Sequence, residues 1–209
     1  EPADMSVKVK ICGVTTTDQA DMVQSFGADA LGLVFYSSSP RYINFKVAKD
    51  IRKIINSNCL CVALLVNADV SFVYRVIEEL KPDLLQFHGD ESPSYCHQFN
   101  YPFIRAVSMR QGLDINSIVR AYRPQGGFLF DNWSSNKYGG TGESFDWILL
   151  PKNRKFSLIL AGGLLPENVR DAVKMVGPEM VDVSSGVECS PGLKDPQLVN
   201  QFVKNAKSI

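Results

Sequence analysis

Short apolar runs alternate with longer amphipathic stretches from one end of the chain to the other, and this rhythm restricts the fold more than any other sequence feature. Most of the runs are continuously apolar, which is typical of parallel strands that are covered on both faces. We therefore predict eight strands, at residues 7–11, 30–35, 60–66, 84–87, 103–107, 128–131, 158–161 and 180–183.

The stretches between these strands carry helix signals. Thr16 and Gln19 fit a capping box, and apolar residues between positions 72 and 80 recur with a 3.6-residue period. Pro166 suits the first position of a helix, and Asp195-Pro196 suits the start of the last helix. Strands that are each followed by a helix indicate βα units joined in series.

Eight such units in 209 residues leave about 26 residues per unit, close to the smallest size for a (β/α)8 barrel. The competing architecture is a doubly wound sheet, which favours Gly-x-Gly-x-x-Gly after the first strand. Here Ile11-Cys12-Gly13-Val14-Thr15 contains a single glycine. No linker divides the chain, so we expect one α/β domain, a (β/α)8 TIM barrel, over residues 1–209. Met5 is a candidate natural start, which would make residues 1–4 an expression remnant.

Composition argues against several functional classes. Lysine plus arginine number 22, as do aspartate plus glutamate, so the chain lacks the basic excess of proteins that coat nucleic acids. The longest apolar stretches, 59–66 and 158–165, are far too short to cross a bilayer. The first residues contain no apolar segment of the secretory type, so we expect no secretory signal. Five scattered cysteines favour reduced thiols in the cytoplasm, and two histidines are too few for a dedicated zinc cluster. We expect no nucleic acid partner, no membrane contact and no metal.

Candidate chemical groups stand where predicted strands end, the edge of a barrel at which active sites are built. Cys12 ends the first strand and Asp131 ends the sixth. A thiol and a carboxyl that face each other across the barrel mouth are suited to act as base and acid. Each residue also has a structural interpretation, because a lone cysteine is commonly a small buried apolar residue and an aspartate commonly forms a turn or a cap.

Small residues follow the last two strands, with Gly162-Gly163 after the seventh and Ser184-Ser185-Gly186 after the eighth. Such residues let backbone N–H groups approach a phosphate, which barrels of this kind commonly bind at this position. The alternative is that the glycines only make tight turns. Because both loops show the feature, we favour a phosphate site.

Two further residues are candidates for substrate contacts. Arg41, after the second strand, is suited to a bidentate contact with a substrate carboxylate, although a solvated arginine is the ordinary alternative. His88, after the fourth strand, is a candidate polar wall of the pocket or a hydrogen-bonded structural residue. Residues 138–142 are rich in glycine and form a candidate closing loop or a connection without a role.

Taken together, these motifs resemble those of a known family, in the right order over nearly the whole chain. The segments are VKICGVT at 9–15, GADALGLVF at 27–35, SPRYI at 39–43, QFHG at 86–89, FD at 130–131, GGTG at 139–142, FDW at 145–147, LAGGL at 160–164 and VDVSSGVE at 181–188. The family they resemble is phosphoribosylanthranilate isomerase, an enzyme of tryptophan biosynthesis. Phe87, where leucine is usual, and Asn132-Trp133 are minor departures.

The resemblance implies an Amadori rearrangement that converts an N-phosphoribosyl aminoaldose into an aminoketose. By the same resemblance, Asp131 is the general acid that protonates the furanose ring oxygen, and Cys12 is the general base that removes the C2′ proton of the Schiff base. Arg41 would contact the anthranilate moiety, and Gly163 with Ser184–Gly186 would hold the phosphate. The family needs neither metal nor organic cofactor. We expect a small phosphosugar substrate and a monomer or homodimer.

Three rival functions remain at this point. A bifunctional sugar isomerase of the histidine and tryptophan pathways resembles this barrel but has an aspartate where this chain has Cys12. A different phosphate-binding barrel enzyme is the second rival; an indole-forming lyase would need a catalytic lysine at a strand end, and no lysine is placed in that way. The third is a non-catalytic ligand-binding barrel, against which Cys12 and Asp131 argue.

The proposed roles require unusual protonation states, because cysteine has an ordinary pKa of about 8.5 and aspartate of about 3.9. Near neutral pH these values give a thiol and a carboxylate, the reverse of a base and an acid. We expect a bell-shaped kcat/KM profile with an acidic limb from Cys12 and a basic limb from Asp131, an assignment that can also be reversed. Lys10, two residues before Cys12, is not an obvious cationic neighbour of the thiol.

Overall fold

The computed structural model describes residues 6–132 and 147–208, and eight parallel strands in it close into a ring in chain order. The first strand pairs with both the second and the eighth. The strands are β1 Lys8–Cys12, β2 Ala30–Val34, β3 Leu60–Leu65, β4 Leu84–Phe87, β5 Phe103–Met109, β6 Phe128–Asn132, β7 Leu158–Leu160 and β8 Met180–Val183. The predicted (β/α)8 barrel is therefore confirmed, and each predicted strand lies within two residues of an observed one.

Seven α-helices surround the ring in the described part of the chain. They are α1 Thr17–Ser25, α2 Phe45–Ile54, α3 Val70–Leu80, α4 Pro93–His97, α5 Ile115–Tyr122, α6 Val169–Val176 and α7 Pro196–Lys207. The described part of the connection between β6 and β7 holds a 3₁₀ turn, Trp147–Leu149, instead of the expected helix. None of the helices among the described residues is long and apolar enough to span a bilayer.

Local chemistry explains where most helices begin. The Thr16 side chain accepts a hydrogen bond from the backbone N–H of Gln19 and so caps α1. Asp195 caps α7 in the same manner. The prediction for Pro166 is wrong, because this residue lies in a turn and α6 begins three residues later, after Asn168. A proline cannot donate a backbone hydrogen bond, and this property suits a turn as well as a first helical position.

Strand alternation divides the apolar core into two regions. Residues such as Val9 and Ile11 face the helices and belong to one large cluster. Residues of the opposite parity form a smaller cluster inside the ring, which includes Ala30, Val62 and Leu129. Because side chains two positions apart lie on the same face of a strand, this parity also decides which residues point into the barrel mouth.

A short hairpin follows the barrel's last strand. A 3₁₀ turn at Ser185–Val187 leads into β9 Glu188–Ser190, which pairs antiparallel with β10 Leu193–Lys194 before α7 begins. The side chains of Glu188 and Lys194 are nearly inaccessible to solvent. The hairpin therefore returns charged groups to the edge of the barrel mouth.

Candidate active site

One cavity of about 530 Å³ opens at the carboxyl ends of the strands, and all nine site residues selected from the sequence line it. They are Cys12, Arg41, His88, Asp131, Gly162, Gly163, Ser184, Ser185 and Gly186. The glycine-rich stretch 138–142 lies outside the described residues. Groups from β1, β4, β6, β7 and β8 thus meet in a single space, as the barrel geometry requires.

Cys12 ends β1 in an apolar part of the cavity, among Val34, Leu64 and Val66, and is 5% exposed. Burial raises the pKa of its thiol, and the positive charge of a neighbouring lysine only partly offsets this effect. The side chain packs over Gly32, its partner in the register of β2. A Cβ at Gly32 would lie 2.5 Å from the cysteine sulfur, so the glycine makes room for the thiol.

Lys10 lies beneath Cys12 on the same face of β1 and is fully buried. Its Nζ lies 2.8 Å from Oδ1 of Asp182, its register partner on β8. Burial opposes the charge of Lys10, but Asp182 and the cysteine together hold the lysine pKa above its ordinary value. The interpretation that Lys10 is no obvious neighbour of Cys12 is therefore wrong, because a spacing of two places both side chains inside the barrel.

Asp131 lies near the end of β6 with its side chain on the inner face of the barrel, and it is 9% exposed. One carboxyl oxygen accepts a hydrogen bond of 2.7 Å from the backbone N–H of Asn132. The other lies 3.5 Å from Nε2 of His88, whose Nδ1 is 2.9 Å from the side-chain nitrogen of Gln86. With that amide nitrogen donating to Nδ1, a neutral imidazole carries its proton on Nε2, which faces the carboxyl.

Arg41 lines the opposite wall in a bidentate ion pair with Glu188. Its Nη2 lies 2.6 Å and its Nε 3.0 Å from the two carboxylate oxygens. Lys194 binds the same carboxylate at 2.8 Å. Burial disfavours this carboxylate, but the hydrogen bond from Arg41 and the charge of Lys194 hold the pKa of Glu188 below its usual range. Arg41 is thus a fixed group, and a Cβ at Gly13 would collide with its side chain at 2.5 Å.

The glycines of the last two loops meet different requirements. Gly162 and Gly163 have φ of 81° and 68°, in the region that disfavours side chains. A Cβ at Gly162 would also lie 2.8 Å from a carboxyl oxygen of Asp131. At Gly186 the obstacle is another loop, since a Cβ there would lie 2.1 Å from the carbonyl oxygen of Leu164. The glycines therefore serve turns and close packing as well as any ligand.

Sequence reasoning missed the buried charged residues around the cavity. Lys10, Asp182, Glu188 and Lys194 all lie near it, and Asp182 lines it. Alternation along β1 and β8 could have indicated Lys10 and Asp182, because every second residue of a barrel strand points into the barrel. Glu188 ends the segment VDVSSGVE, but no role was assigned to it, and nothing local indicates Lys194, because the hairpin that returns both residues to the mouth is a tertiary feature.

The arrangement is suited to proton transfer at two points of one bound molecule. Its thiol on β1 and carboxyl on β6 stand three strands apart in a ring of eight. Both groups are largely screened from water, which strengthens their interactions with a ligand. In the described part of the chain, no cluster of three His, Cys, Asp or Glu residues is arranged to hold a metal ion.

Comparison with known proteins identifies the family of the chain. Residues 9–205 match the family model described as N-(5′-phosphoribosyl)anthranilate (PRA) isomerase. A protein from Marinomonas sp. (strain MWYL1) named N-(5′-phosphoribosyl)anthranilate isomerase is 43% identical over 203 residues, which cover 97% of this chain and 99% of that protein.

Two solved structures extend the similarity to the fold. One, described as monomers generated from the dimeric phosphoribosylanthranilate isomerase of Thermotoga maritima, has a TM-score of 0.85 and 34% identity, covering 97% of this chain and 100% of that one. The other is a phosphoribosylanthranilate isomerase in complex with reduced 1-(o-carboxyphenylamino)-1-deoxyribulose 5-phosphate, with a TM-score of 0.84, 35% identity and the same coverage. The chain belongs to the N-(5′-phosphoribosyl)anthranilate isomerase family.

Proposed function

We propose that this protein catalyses the Amadori rearrangement of N-(5-phosphoribosyl)anthranilate to 1-(2-carboxyphenylamino)-1-deoxyribulose 5-phosphate, in tryptophan biosynthesis. The observation that carries the proposal is the placement of Cys12 and Asp131 on the walls of one cavity, with the loops after β7 and β8 at its rim. An acid and a base on separate strands match a reaction that adds one proton and removes another.

In the first step, Asp131 gives its proton to the ring oxygen of the furanose while the bond from that oxygen to C1′ breaks. The nitrogen lone pair forms the C1′–N double bond of a Schiff base. His88 lies beside the acid, and its Nε2 faces the carboxyl oxygen that is not held by the backbone N–H of Asn132. The imidazole forms a polar wall beside the carboxyl, which the Asn132 N–H holds by a hydrogen bond.

In the second step, the thiolate of Cys12 removes the proton from C2′. The electrons of the C2′–H bond form a C1′–C2′ double bond, and those of the C1′–N double bond return to nitrogen. The resulting enolamine becomes the ketone when a proton returns to C1′ and the C2′ hydroxyl loses its proton. Gly32 contributes by leaving the space that lets the sulfur point into the cavity.

The two ends of the substrate are held by different groups. The N–H groups of Gly163, Ser185 and Gly186 donate to no backbone acceptor among the described residues, and they are suited to bind phosphate. Arg41 is suited to bind the anthranilate carboxylate. Glu188 already binds Nε and Nη2 of the Arg41 guanidinium. The substrate carboxylate would therefore bind the remaining nitrogen, Nη1, or share the two nitrogens with Glu188.

The rival functions are less well supported by the residues. The bifunctional sugar isomerase would place an aspartate at the end of β1, where this chain has Cys12. A lyase would need a catalytic lysine at a strand end. Lys10 lies on a barrel strand, but it is fully buried and paired with Asp182. A non-catalytic barrel has no need for a buried thiol opposite a carboxyl.

The test is turnover of N-(5-phosphoribosyl)anthranilate by the purified protein, together with growth of a tryptophan auxotroph that lacks this isomerase. We expect rescue by the parent chain and none by Cys12→Ala at equal expression. A well-expressed parent chain without turnover or rescue would overturn the proposal. Turnover of the equivalent histidine-pathway intermediate at a similar rate would favour the bifunctional alternative.

We further propose that residues 1–209 form one domain, which works in the cytoplasm as a monomer or homodimer. Support for the location comes from the cysteines, which are all free and four of which are buried. Support for the oligomeric state comes from the Thermotoga maritima relative, a dimeric enzyme from which monomers have been generated. Light scattering of the purified chain distinguishes the two states.

A further inference from the structure

A buried ion pair lies directly beneath the proposed base. Lys10 is fully buried, and its Nζ is 2.8 Å from Asp182, whose side chain is 10% exposed. Such a pair is costly to bury, and apolar residues of similar size commonly stabilise a fold equally well. The position of this pair directly beneath the reaction cavity therefore needs an explanation other than stability.

The geometry directs the lysine toward the thiol as well as toward the carboxylate. Lys10 and Cys12 are two residues apart on one strand, so both side chains point into the barrel. The positive charge of the lysine acts on the thiol and lowers its pKa, while the hydrogen bond of the lysine goes to Asp182. The register of β1 and β8 places Asp182 beside Lys10, and the ion pair of 2.8 Å holds the buried ammonium inside the barrel.

The other groups that face the thiol do not replace this interaction. Lys194, on the hairpin, also acts on Cys12 through its charge, but its ammonium binds Glu188 at 2.8 Å and the loop oxygens of Ser184. Arg41 is paired with the same glutamate.

On the remaining walls, Asp182 carries negative charge, which opposes a thiolate. The His88–Asp131 pair lines the cavity from β4 and β6. Among the described residues, Lys10 is the cation whose strand position points it at the sulfur.

We propose that Lys10 is a positioning residue that stabilises the thiolate of Cys12, with Asp182 holding the ammonium in place beneath the sulfur. The proposal rests on the function assigned above to Cys12. It explains how a thiol in an apolar part of the cavity reaches the charged form that removes a proton. Burial raises the thiol pKa, and the ammonium is the largest of the charges that counteract it.

The first experiment measures the thiol directly instead of the reaction. Cys189, the exposed cysteine of the chain, is replaced by serine so that alkylation by iodoacetamide reports on Cys12, which is followed by peptide mass spectrometry. Lys10→Met is compared with Lys8→Met, which removes an exposed lysine from the same strand. Ultraviolet absorbance of the thiolate, taken as the difference from Cys12→Ser, is recorded against pH in each protein.

A neighbouring opposite charge commonly changes a pKa by about 1 to 3, so the Lys10→Met protein should form its thiolate at a pH higher by about that amount. Alkylation at fixed pH should then slow by about threefold to thirtyfold, because a more basic thiolate is also a better nucleophile and offsets part of the loss. Lys8→Met should leave both readouts unchanged. A folded Lys10→Met protein with an unshifted thiolate titration would overturn the proposal.

Two further variants cover folding and the competing cation. If Lys10→Met does not fold, the double variant Lys10→Met/Asp182→Asn removes both buried charges, and the thiolate should still form at higher pH because the lysine acts on the thiol more strongly than Asp182. An unchanged or lower titration in that protein also overturns the proposal. If the thiolate titration shifts in Lys194→Met but not in Lys10→Met, the stabilising cation is Lys194 and the proposal is overturned.

Turnover separates this inference from the proposed function. If Cys12→Ser keeps full turnover, the proposed function of Cys12 fails whatever the titration shows. If Cys12→Ser is inactive and Lys10→Met leaves the thiolate titration unmoved, only the role of Lys10 fails. With both correct, kcat of Lys10→Met should fall while KM changes little, because the lysine does not contact substrate.

Discussion

The sulfur of Cys12 lies over the bare backbone of Gly32, where even a Cβ would come within 2.5 Å of it. The two residues are register partners on β1 and β2, and the glycine is fully enclosed in a strand of buried residues. A glycine in the middle of a strand is unfavourable in itself, so this one has a packing reason. Its reason is the volume of the thiol.

Gly32→Ala should therefore destabilise the protein by about 1 to 3 kcal/mol through overpacking. The same change in a Cys12→Ala background should cost clearly less, because the sulfur is gone. Urea denaturation of the four proteins of this cycle gives the coupling energy. Purely additive costs would mean that the backbone of β1, and not the thiol, requires the glycine.

Cys12→Ser and Asp131→Asn should each lower turnover by about 10²- to 10⁴-fold, the usual contribution of a positioned acid or base. Both substitutions keep the size of the side chain, so circular dichroism and melting temperature should stay close to those of the parent. Steady-state kinetics with the anthranilate substrate measures the effect. A loss below tenfold in either protein would show that the wrong group was assigned.

Gly163→Val should raise KM and weaken competitive inhibition by inorganic phosphate, because a side chain there blocks the approach of phosphate to the backbone. The φ of 68° also makes the substitution straining. Gly177→Val is the matched control, since Gly177 has φ of 59° at the end of α6 with open space around it. The control should lose stability and keep KM. Equal KM values in the two variants would show that the substrate phosphate does not bind at this loop.

Glu188→Gln should lower the free energy of unfolding by about 3 kcal/mol near neutral pH, because Arg41 and Lys194 lose their buried counter-charge. Since the folded pKa of Glu188 is lowered, its contribution is complete above the ordinary value of about 4.3 and disappears as pH falls through the folded value. The stability difference between variant and parent should therefore shrink in acid.

Glu79→Gln provides the control for that experiment. Glu79 also binds a lysine and an arginine, Lys49 and Arg75, but on the exposed surface of α3. Surface ion pairs contribute little to stability, so this variant should behave like the parent near neutral pH. A loss as large in Glu79→Gln as in Glu188→Gln would contradict the importance of burial.

The pH dependence of kcat/KM should have one limb above about pH 8.5, because burial raises the pKa of the Cys12 thiol above that ordinary value. Either limb can belong to the cysteine, since the proton can reside on the base or on the acid in the unreactive forms. In a Cys12→Asp variant this limb should move to lower pH by several units. A limb that stays in place while activity survives would show that another residue takes the C2′ proton.

The strands and the set of cavity residues could be predicted because both depend on local patterns. Continuous apolar runs mark strands covered on both faces, and a polar residue at the end of such a run marks the barrel mouth. The same local reasoning misplaced Pro166, because a proline fits a turn as well as a helix start. It also overlooked Lys10, although parity alone places that residue beside Cys12.

The partners of the site residues could not be predicted because they depend on contacts between distant segments. Nothing near Arg41 indicates that Glu188 occupies two of its nitrogens. Nothing near His88 indicates that its ring spans from Gln86 to the carboxyl of Asp131. Such pairings form only when the strands close into a ring. The number of strands in a single sequence predicts that closure, but it does not show which side chains then meet.

The pair of Lys10 and Asp182 joins residues that are 172 positions apart, across the seam where the first strand meets the last. During synthesis of the chain, Lys10 and Cys12 emerge long before Asp182, the carboxylate that binds the lysine. A chain that has assembled β1 to β6 already contains both the thiol and Asp131, yet it lacks the counter-ion of Lys10 and both loops of the phosphate rim. Catalytic competence should therefore appear late and all at once, when the two ends of the chain meet, and a barrel that opens at this seam should lose activity before it loses its helices.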